Sequence, residues 1–235
     1  MAILKLTDVT TRHALRHPLI RDRVRIGRGA FCIVFNNENS VFKLTCDPFQ
    51  YQFYTHRDRP QSEYFPTLIY DFGVVGGTEQ APLYLVEMEK LCAFGGKQTS
   101  PPGAWQQRQN LLKVAHSHRQ KVWMKFDGAD AESQILIACL RGLGEYEEID
   151  DGLQVAASRL ADFCQRVSCS PDLHRSNFML RGSQLVFNDA VKDQHTIYRR
   201  NLLRLMPPEA ADAYMETRMR TIGLATAQHP FTKGG

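Results

Sequence analysis

A chain of 235 residues, 43% hydrophobic and 23% charged, is long enough for one sizeable core or two small lobes sharing an interface, and its composition excludes a disordered chain. Its 29 Lys and Arg against 25 Asp and Glu leave a formal charge of +4, too small and too evenly mixed to point to a nucleic-acid partner. The longest purely apolar run, Ile135-Leu136-Ile137-Ala138-Cys139-Leu140, falls far short of the roughly 20 residues of a spanning helix, and the amino terminus meets Asp8 before a signal-peptide core can build; a cytoplasmic location with no membrane partner is expected.

The six cysteines are scattered without a Cys-x-x-Cys pair, as reduced, mostly buried thiols would be. The histidines show no metal-ligand spacing, and His116 and His118 stand two apart, on different faces of a helix. No structural metal is expected.

In chain order, Val24-Arg25-Ile26, Cys32-Ile33-Val34-Phe35, Val41-Phe42-Lys43-Leu44, Thr67-Leu68-Ile69-Tyr70 and Leu83-Tyr84-Leu85-Val86 are short β-branched or aromatic runs. Turn formers such as Asn36 to Ser40 and Gly76-Gly77 separate them, which predicts an antiparallel sheet. Across residues 91–104 the pattern changes to helical spacing, with Leu111, Leu112 and Ala115, then Leu136, Ile137, Leu140 and Leu143. The clearest helix, 152–168, aligns Leu153, Ala156, Leu160, Phe163, Cys164 and Val167 on one stripe. Its end is expected at Cys169-Ser170-Pro171, because proline disfavours helical geometry in the residue before it. Phe178-Met179-Leu180 and Leu185-Val186-Phe187 flank Arg181 to Gln184 as a hairpin. A last helix starts at Met206-Pro207-Pro208-Glu209 and runs to about Thr221 before Gly223. The expected fold is α+β: a sheet lobe over 1–90, a linker over 91–104 and a mostly helical lobe over 105–235.

Two segments carry chemistry. In Gly27-Arg28-Gly29-Ala30-Phe31-Cys32-Ile33-Val34 the glycines let backbone N–H groups approach a polyphosphate, and Phe31 is placed to close over it; an ordinary hairpin turn is the plain alternative. Lys43 follows on the next strand, on the face of Val41, where its ammonium meets phosphate oxygens beneath the turn. The second segment is Pro171-Asp172-Leu173-His174-Arg175-Ser176-Asn177, with Asp189 beyond the hairpin. Phosphoryl transfer needs a carboxylate to orient or deprotonate the attacking hydroxyl and oxygen ligands for Mg²⁺. Asp172 suits the first task; Asn177 and Asp189 suit the second. An Asx-rich loop that merely caps turns is the alternative for each residue alone, but the spacing of all three is specific.

Gly27-x-Gly29-x-Phe31-x-x-Val34, Val41-x-Lys43, Leu83-Tyr84-Leu85-Val86-Glu87-Met88, Asp172-Leu173-His174-x-x-Asn177 and Asp189 stand in the order of the protein-kinase-like superfamily, which the chain resembles over roughly residues 24–90 and 155–222. The Asp-Leu-His loop is nearer to aminoglycoside phosphotransferases than to eukaryotic kinases. Size and the Phe187-Asn188-Asp189-Ala190-Val191 segment resemble the early serine/threonine protein kinases of T-seven-like bacteriophages. The resemblance implies a minimal two-lobed kinase fold using ATP and Mg²⁺. Lys43 would contact the α- and β-phosphates, Asp172 would be the catalytic base over a loop at 170–177, and Asn177 and Asp189 would hold the metal. Gly27, Gly29, Phe31, Val34 and Val41 would surround the nucleotide, with Glu87, Met88 and Glu89 forming the hinge and offering backbone groups to adenine. It further implies host proteins as acceptors, the transcription machinery and its RNA polymerase among them, so that host gene expression is shut off.

The departures are specific. Cys32 replaces the third glycine, Ser170 stands two before Asp172 where histidine is usual, and Ala190-Val191 follows Asp189 in place of Phe-Gly. No glutamate lies in Asp47 to Gln61 to pair with Lys43; Asp47, Asp58 and Glu63 are left to substitute, unless the pair is absent. Asp71-Phe72-Gly73 spells a metal-binding tripeptide but precedes the loop by about a hundred residues, so it is expected to be a strand end and turn. Only 46 residues follow Asp189, so the helical platform for protein substrates is expected to be missing or replaced by residues 105–150. Two alternatives stay open. A small-molecule phosphotransferase draws on the Asp-Leu-His loop and the acidic stretch Glu145 to Asp151; a pseudokinase acting by binding alone draws on the missing glutamate.

Overall fold

The computed structural model describes residues 9–79, 81–122, 129–193 and 206–221. The chain divides into a compact unit up to Asp193 and a second unit from Gln194 onward. In the first unit, β1 (Arg25–Arg28), β2 (Cys32–Asn37), β3 (Ser40–Thr45), β4 (Leu68–Thr78) and β5 (Ala81–Glu89) form one antiparallel sheet in the order β1-β2-β3-β5-β4. Each expected strand is present, and β4 runs on through Asp71 to Thr78 because it is an edge strand whose three register shifts absorb its glycines. At Gly77, with φ of +89°, a Cβ would come within 2.2 Å of the Ala81 carbonyl oxygen, so the turn into β5 requires glycine.

Period-two alternation gives the sheet two different faces. Ile33, Phe35, Phe42, Leu44, Leu83 and Leu85 form one cluster, closed by Ala14 and Ile20. Ala14 ends helix α1 (Val9–Ala14), and a Cβ on Gly76 would sit 2.9 Å from the Ala14 Cβ, so the missing side chain lets α1 approach β4. The amino-terminal segment therefore lids the outer face of the sheet, a role its sequence does not announce. On the opposite face Val41, Val86 and Met88 join the larger helical core.

Helix α2 (Pro48–Thr55) starts where the Asp47 carboxylate accepts from the N–H groups of Phe49 and Gln50, with Pro48 in the first turn, where a missing N–H costs nothing. The helical core is built by α3 (Pro102–Val122), α4 (Ala129–Arg141) and α5 (Asp151–Val167). On α5 the residues Leu153, Ala156, Ala157, Leu160, Ala161, Phe163 and Cys164 are buried, the stripe its sequence spacing predicts. Asp150 caps its start by accepting from Leu153 N–H. Its end falls within one residue of expectation, but by a different means: Ser168 adopts a left-handed conformation at φ 57°, and the Cys164 carbonyl accepts from the N–H groups of Ser168 and Cys169. The helix therefore stops three residues before Pro171, at a left-handed cap.

Short strands fix the loops that follow. β6 (Cys92–Ala93) pairs with β8 (Phe178–Arg181), and β8 with β9 (Gln184–Phe187) as the expected hairpin. β7 (Ser170–Pro171) pairs with β10 (Val191–Lys192). The segment expected as a linker over 91–104 is thus tied to β8 at Cys92–Ala93 and enters α3 at Pro102. All six cysteines are free thiols, with Cys92 alone exposed. Among the described residues no helix is long and apolar enough to cross a membrane. In the second unit, α6 (Pro208–Thr221) opens at proline with Glu209 in its first turn; Gly223, beyond its expected end, lies outside the described residues.

Candidate active site

β3 carries Lys43 into the interior, where it is 3% exposed. Its Nζ is paired with Asp189 Oδ1, 146 residues away in sequence, and donates to the Tyr54 hydroxyl at 2.9 Å. Tyr54, on α2, donates in turn to the Asn188 carbonyl at 2.7 Å, with Asp189 Oδ1 3.1 Å away. Burial, the largest single influence, opposes the lysine charge, but Asp189 together with Tyr54 and Cys32 holds the Lys43 pKa well above its ordinary value. Burial pushes the Tyr54 pKa up, although Lys43 pulls against it, so the phenol stays neutral. The place expected for a glutamate is therefore filled by a tyrosine. None of Asp47, Asp58 and Glu63 forms an ion pair with Lys43: Asp47 caps α2, and Asp58 faces His56 and Arg57 at the surface.

The Asp172 loop is held by the short strands on either side of it. Asp172 N–H donates to the Ala190 carbonyl at 2.8 Å, and Asn177 Nδ2 donates to the Asp172 carbonyl at 3.1 Å. The Asn177 carbonyl accepts from Asn188 N–H at 2.8 Å and from Asp189 N–H at 3.4 Å. One carbonyl therefore fixes Asn177 against Asp189, and one side chain fixes Asn177 against Asp172. Burial raises the Asp172 pKa, offset in part by Lys192, whose Nζ is 3.8 Å from Oδ1, and by Asn177. A carboxylate moved in that direction is a better proton acceptor. The His174 ring instead turns to Ser176 Oγ at 2.7 Å.

Register settles which residues share the Lys43 face. Val34 is opposite Lys43, Gly27 opposite Val34, Cys32 opposite Thr45, and Val41 opposite Met88. A Cβ on Gly29 would stand 3.1 Å from Cys32 Sγ, and one on Gly27 3.4 Å from Val34 Cβ. Neither glycine has positive φ, so what they supply is absent bulk on the side that holds Lys43. Gly27, Gly29, Val34 and Val41 are brought together with Lys43. Phe31 is not: its side chain packs against the cluster on the outer face, because it sits in the hairpin turn next to β2 with its carbonyl accepting from Cys46 N–H and Thr45 Oγ1.

The expected hinge divides in the same way. Met88 lies on the Lys43 face. Glu87 is opposite Phe42, and its Oε1 accepts from Asn37 Nδ2 at 2.8 Å and from Ser40 Oγ. Glu89 accepts from both Arg181 Nε, at 2.8 Å, and Arg181 Nη2, and its N–H donates to the Thr67 carbonyl at 3.0 Å. Alternation along β5 thus leaves one of the three side chains on the Lys43 face; of the backbone groups expected to meet adenine, the Glu89 N–H is engaged by Thr67. Asp71 accepts from the Tyr51 hydroxyl and from Gly73 N–H; it lies inside β4, not at the strand end and turn expected of it, and these bonds keep it from a metal-binding role. In the acidic stretch, Asp150 is committed to capping α5 and to the Tyr64 hydroxyl.

Among the described residues no cluster of three or more His, Cys, Asp or Glu could hold a metal. Asn177 and Asp189 together offer amide and carboxylate oxygens on one rigid scaffold. That donor set fits Mg²⁺, which takes few protein oxygens and completes its shell with water and phosphate. Sequence reasoning missed Tyr54, Lys192 and the Arg181–Glu89 pair. An aromatic on an apolar helix reads as core, and only a fold places it beside Lys43.

Compared with known proteins, the chain matches no family model and no curated sequence. Among solved structures it is similar to the crystal structure of aminoglycoside phosphotransferase APH(4)-Ia, at 12% identity and a TM-score of 0.33, over 92% of this chain and 86% of that one. A thermostable mutant of the same enzyme, in ternary complex with AMP-PNP and hygromycin B, is similar at 11% identity and a TM-score of 0.32, over 91% and 83% of the two chains.

Proposed function

We propose that the chain is an ATP- and Mg²⁺-dependent phosphotransferase acting on serine or threonine hydroxyls of proteins. The observation that carries this reading is the burial of Lys43 against Asp189 in a unit that also fixes Asp172 and Asn177. A buried ion pair contributes little net stability, since desolvation cancels most of its attraction, so stability alone gives no reason for these groups to converge. Bound Mg²⁺–ATP would supply the phosphoryl group and neutralise charge on its oxygens. Lys43 would contact phosphate oxygens beneath the bare backbone of Gly27 and Gly29. Asp172 would orient the acceptor hydroxyl and take its proton, while Asn177 and Asp189 would supply the oxygen ligands for the metal. Val34, Val41 and Met88 line the same face as an apolar surface for the base.

On the resemblance to phage kinases, the acceptors are host proteins, including the transcription machinery, and the outcome is host shutoff. The Asp172-Leu173-His174 loop favours a second reading, transfer to a small molecule. Incubating the purified chain with γ-labelled ATP and Mg²⁺ in bacterial lysate separates the two. Labelled protein bands support the first reading. Nucleotide binding without protein label supports the second, and a chain that binds no nucleotide overturns both.

A further inference from the structure

Arg108, on α3, is the one buried arginine among the described residues, at 8% exposure. Its guanidinium lies between two rings, 4.0 Å from the Phe94 centroid and 4.4 Å from that of Trp105. Stacking of this kind covers the faces of the planar fork and leaves its edge for hydrogen bonds. Among the described residues nothing takes them: Nε is buried without a partner, and Arg108 forms no ion pair. A buried cationic donor left unmade is costly, and core packing of α3 does not call for an arginine here.

The surroundings point to an anion. Ala93 is opposite Met179 in the β6–β8 ladder, so Phe94, the next residue, runs alongside the start of β8, where the catalytic loop ends at Asn177. Arg175 of that loop is exposed, and its like charge joins burial in lowering the Arg108 pKa, with no carboxylate offsetting them. Ser100, in the segment between Phe94 and α3, is 6% exposed with its Oγ unpartnered. It lies beside Gly95, whose Cβ would be 3.9 Å from that oxygen. Arg175 and Arg108 are thus close enough to repel at the end of the Asp172 loop, and the unpartnered Ser100 hydroxyl lies in the segment that follows Phe94, the residue stacked on Arg108.

We propose that Arg108, Arg175 and Ser100 receive an anionic group flanking the acceptor hydroxyl, so that the site selects acidic polypeptide segments. The proposal rests on the protein-phosphotransferase reading and adds the class of acceptor. A guanidinium edge matches carboxylate and phosphate alike, so the flanking anion is glutamate, aspartate or a phosphorylated residue.

The test is fluorescence anisotropy with the purified full chain and labelled twelve-residue peptides, each with one serine flanked by glutamate, by phosphoserine or by lysine. The glutamate peptide is expected to bind at least about ten-fold tighter than the lysine peptide. Arg108→Gln and Arg175→Gln should each weaken it about ten-fold, a change of about 1.4 kcal/mol. Arg57→Gln, which alters net charge equally at a distant exposed site, should leave it unchanged. Tighter binding of the phosphoserine peptide, lost in the same two variants, also supports the site and assigns phosphate as its preferred anion. Equal binding of the glutamate and lysine peptides overturns the proposal, as does binding unaltered in Arg175→Gln, an exposed position where folding is not at risk. ADP titration of the same samples judges the phosphotransferase reading separately: no ADP binding with peptide selection intact sinks that reading and keeps the anion site.

Discussion

The hydroxyl of Tyr54 accepts a hydrogen bond from Lys43 Nζ at 2.9 Å, so a neutral phenol occupies the place on α2 where a glutamate was expected. The counter-charge for Lys43 then comes from Asp189, one of the two proposed metal ligands. Tyr54 does a second job by donating to the Asn188 carbonyl, which ties α2 to the backbone beside Asp189.

Tyr54→Phe keeps the ring and deletes both hydrogen bonds. The Asn188 carbonyl and one Lys43 proton lose their buried partner, which costs about 1–3 kcal/mol. Urea unfolding should show that loss, and any transfer activity should fall with a raised KM for ATP. Unchanged stability would mean that water replaces the hydroxyl.

Lys43 and Asp189 should respond unequally to removal. The lysine side chain is 4% exposed and the aspartate 21%, so Asp189→Asn strands a buried cation whereas Lys43→Met strands a carboxylate that solvent reaches. The first is expected to cost about 3 kcal/mol or more, the second clearly less. Equal losses in parallel urea melts would contradict this ordering.

Asp47 predicts a pH dependence. Burial pushes its pKa up to about 7, with Asp193 adding to the effect and the N–H groups of Phe49 and Gln50 opposing it. Between the unfolded value near 4 and about 7, the folded state binds more protons than the unfolded one. Stability therefore falls as pH rises through that window, by at most about 1.4 kcal/mol per pH unit, and Asp47 adds no slope outside it. Asp47→Asn retains a capping oxygen and removes the titration. The difference in Tm between wild type and variant should shift in favour of the variant from pH 5 to pH 8; parallel curves would contradict the burial of a protonated Asp47.

What the sequence revealed follows from where local chemistry dictates structure. The strands from β1 to β5 are punctuated by turn residues, the α5 stripe repeats at helical spacing, and Asp172, Asn177 and Asp189 stand at a fixed interval, so each was legible. Tyr54 was not, because a buried tyrosine on a short helix looks like any core aromatic until Lys43 arrives from another strand. Arg108 was hidden for the opposite reason, since a single arginine on a helix normally points to water. The end of α5 was legible to within a residue, but its cause was not, because Ser168 enters the left-handed region that glycine more often takes. Phe31 was assigned by motif, and its place in the turn before β2 packs it on the outer face; the hinge at Glu87 to Glu89 was expected to act through backbone groups, which the direction of its side chains leaves untouched.

The central claim is that Asp172 acts on the acceptor hydroxyl while Lys43 acts on the nucleotide. The direct measurement follows transfer from γ-labelled ATP and, on the same samples, ADP affinity, for wild type, Asp172→Ala and Lys43→Ala. Asp172→Ala should lose transfer by about 100-fold or more with ADP affinity nearly intact, whereas Lys43→Ala should lose both. An Asp172→Ala protein that transfers phosphate at the wild-type rate would contradict the account.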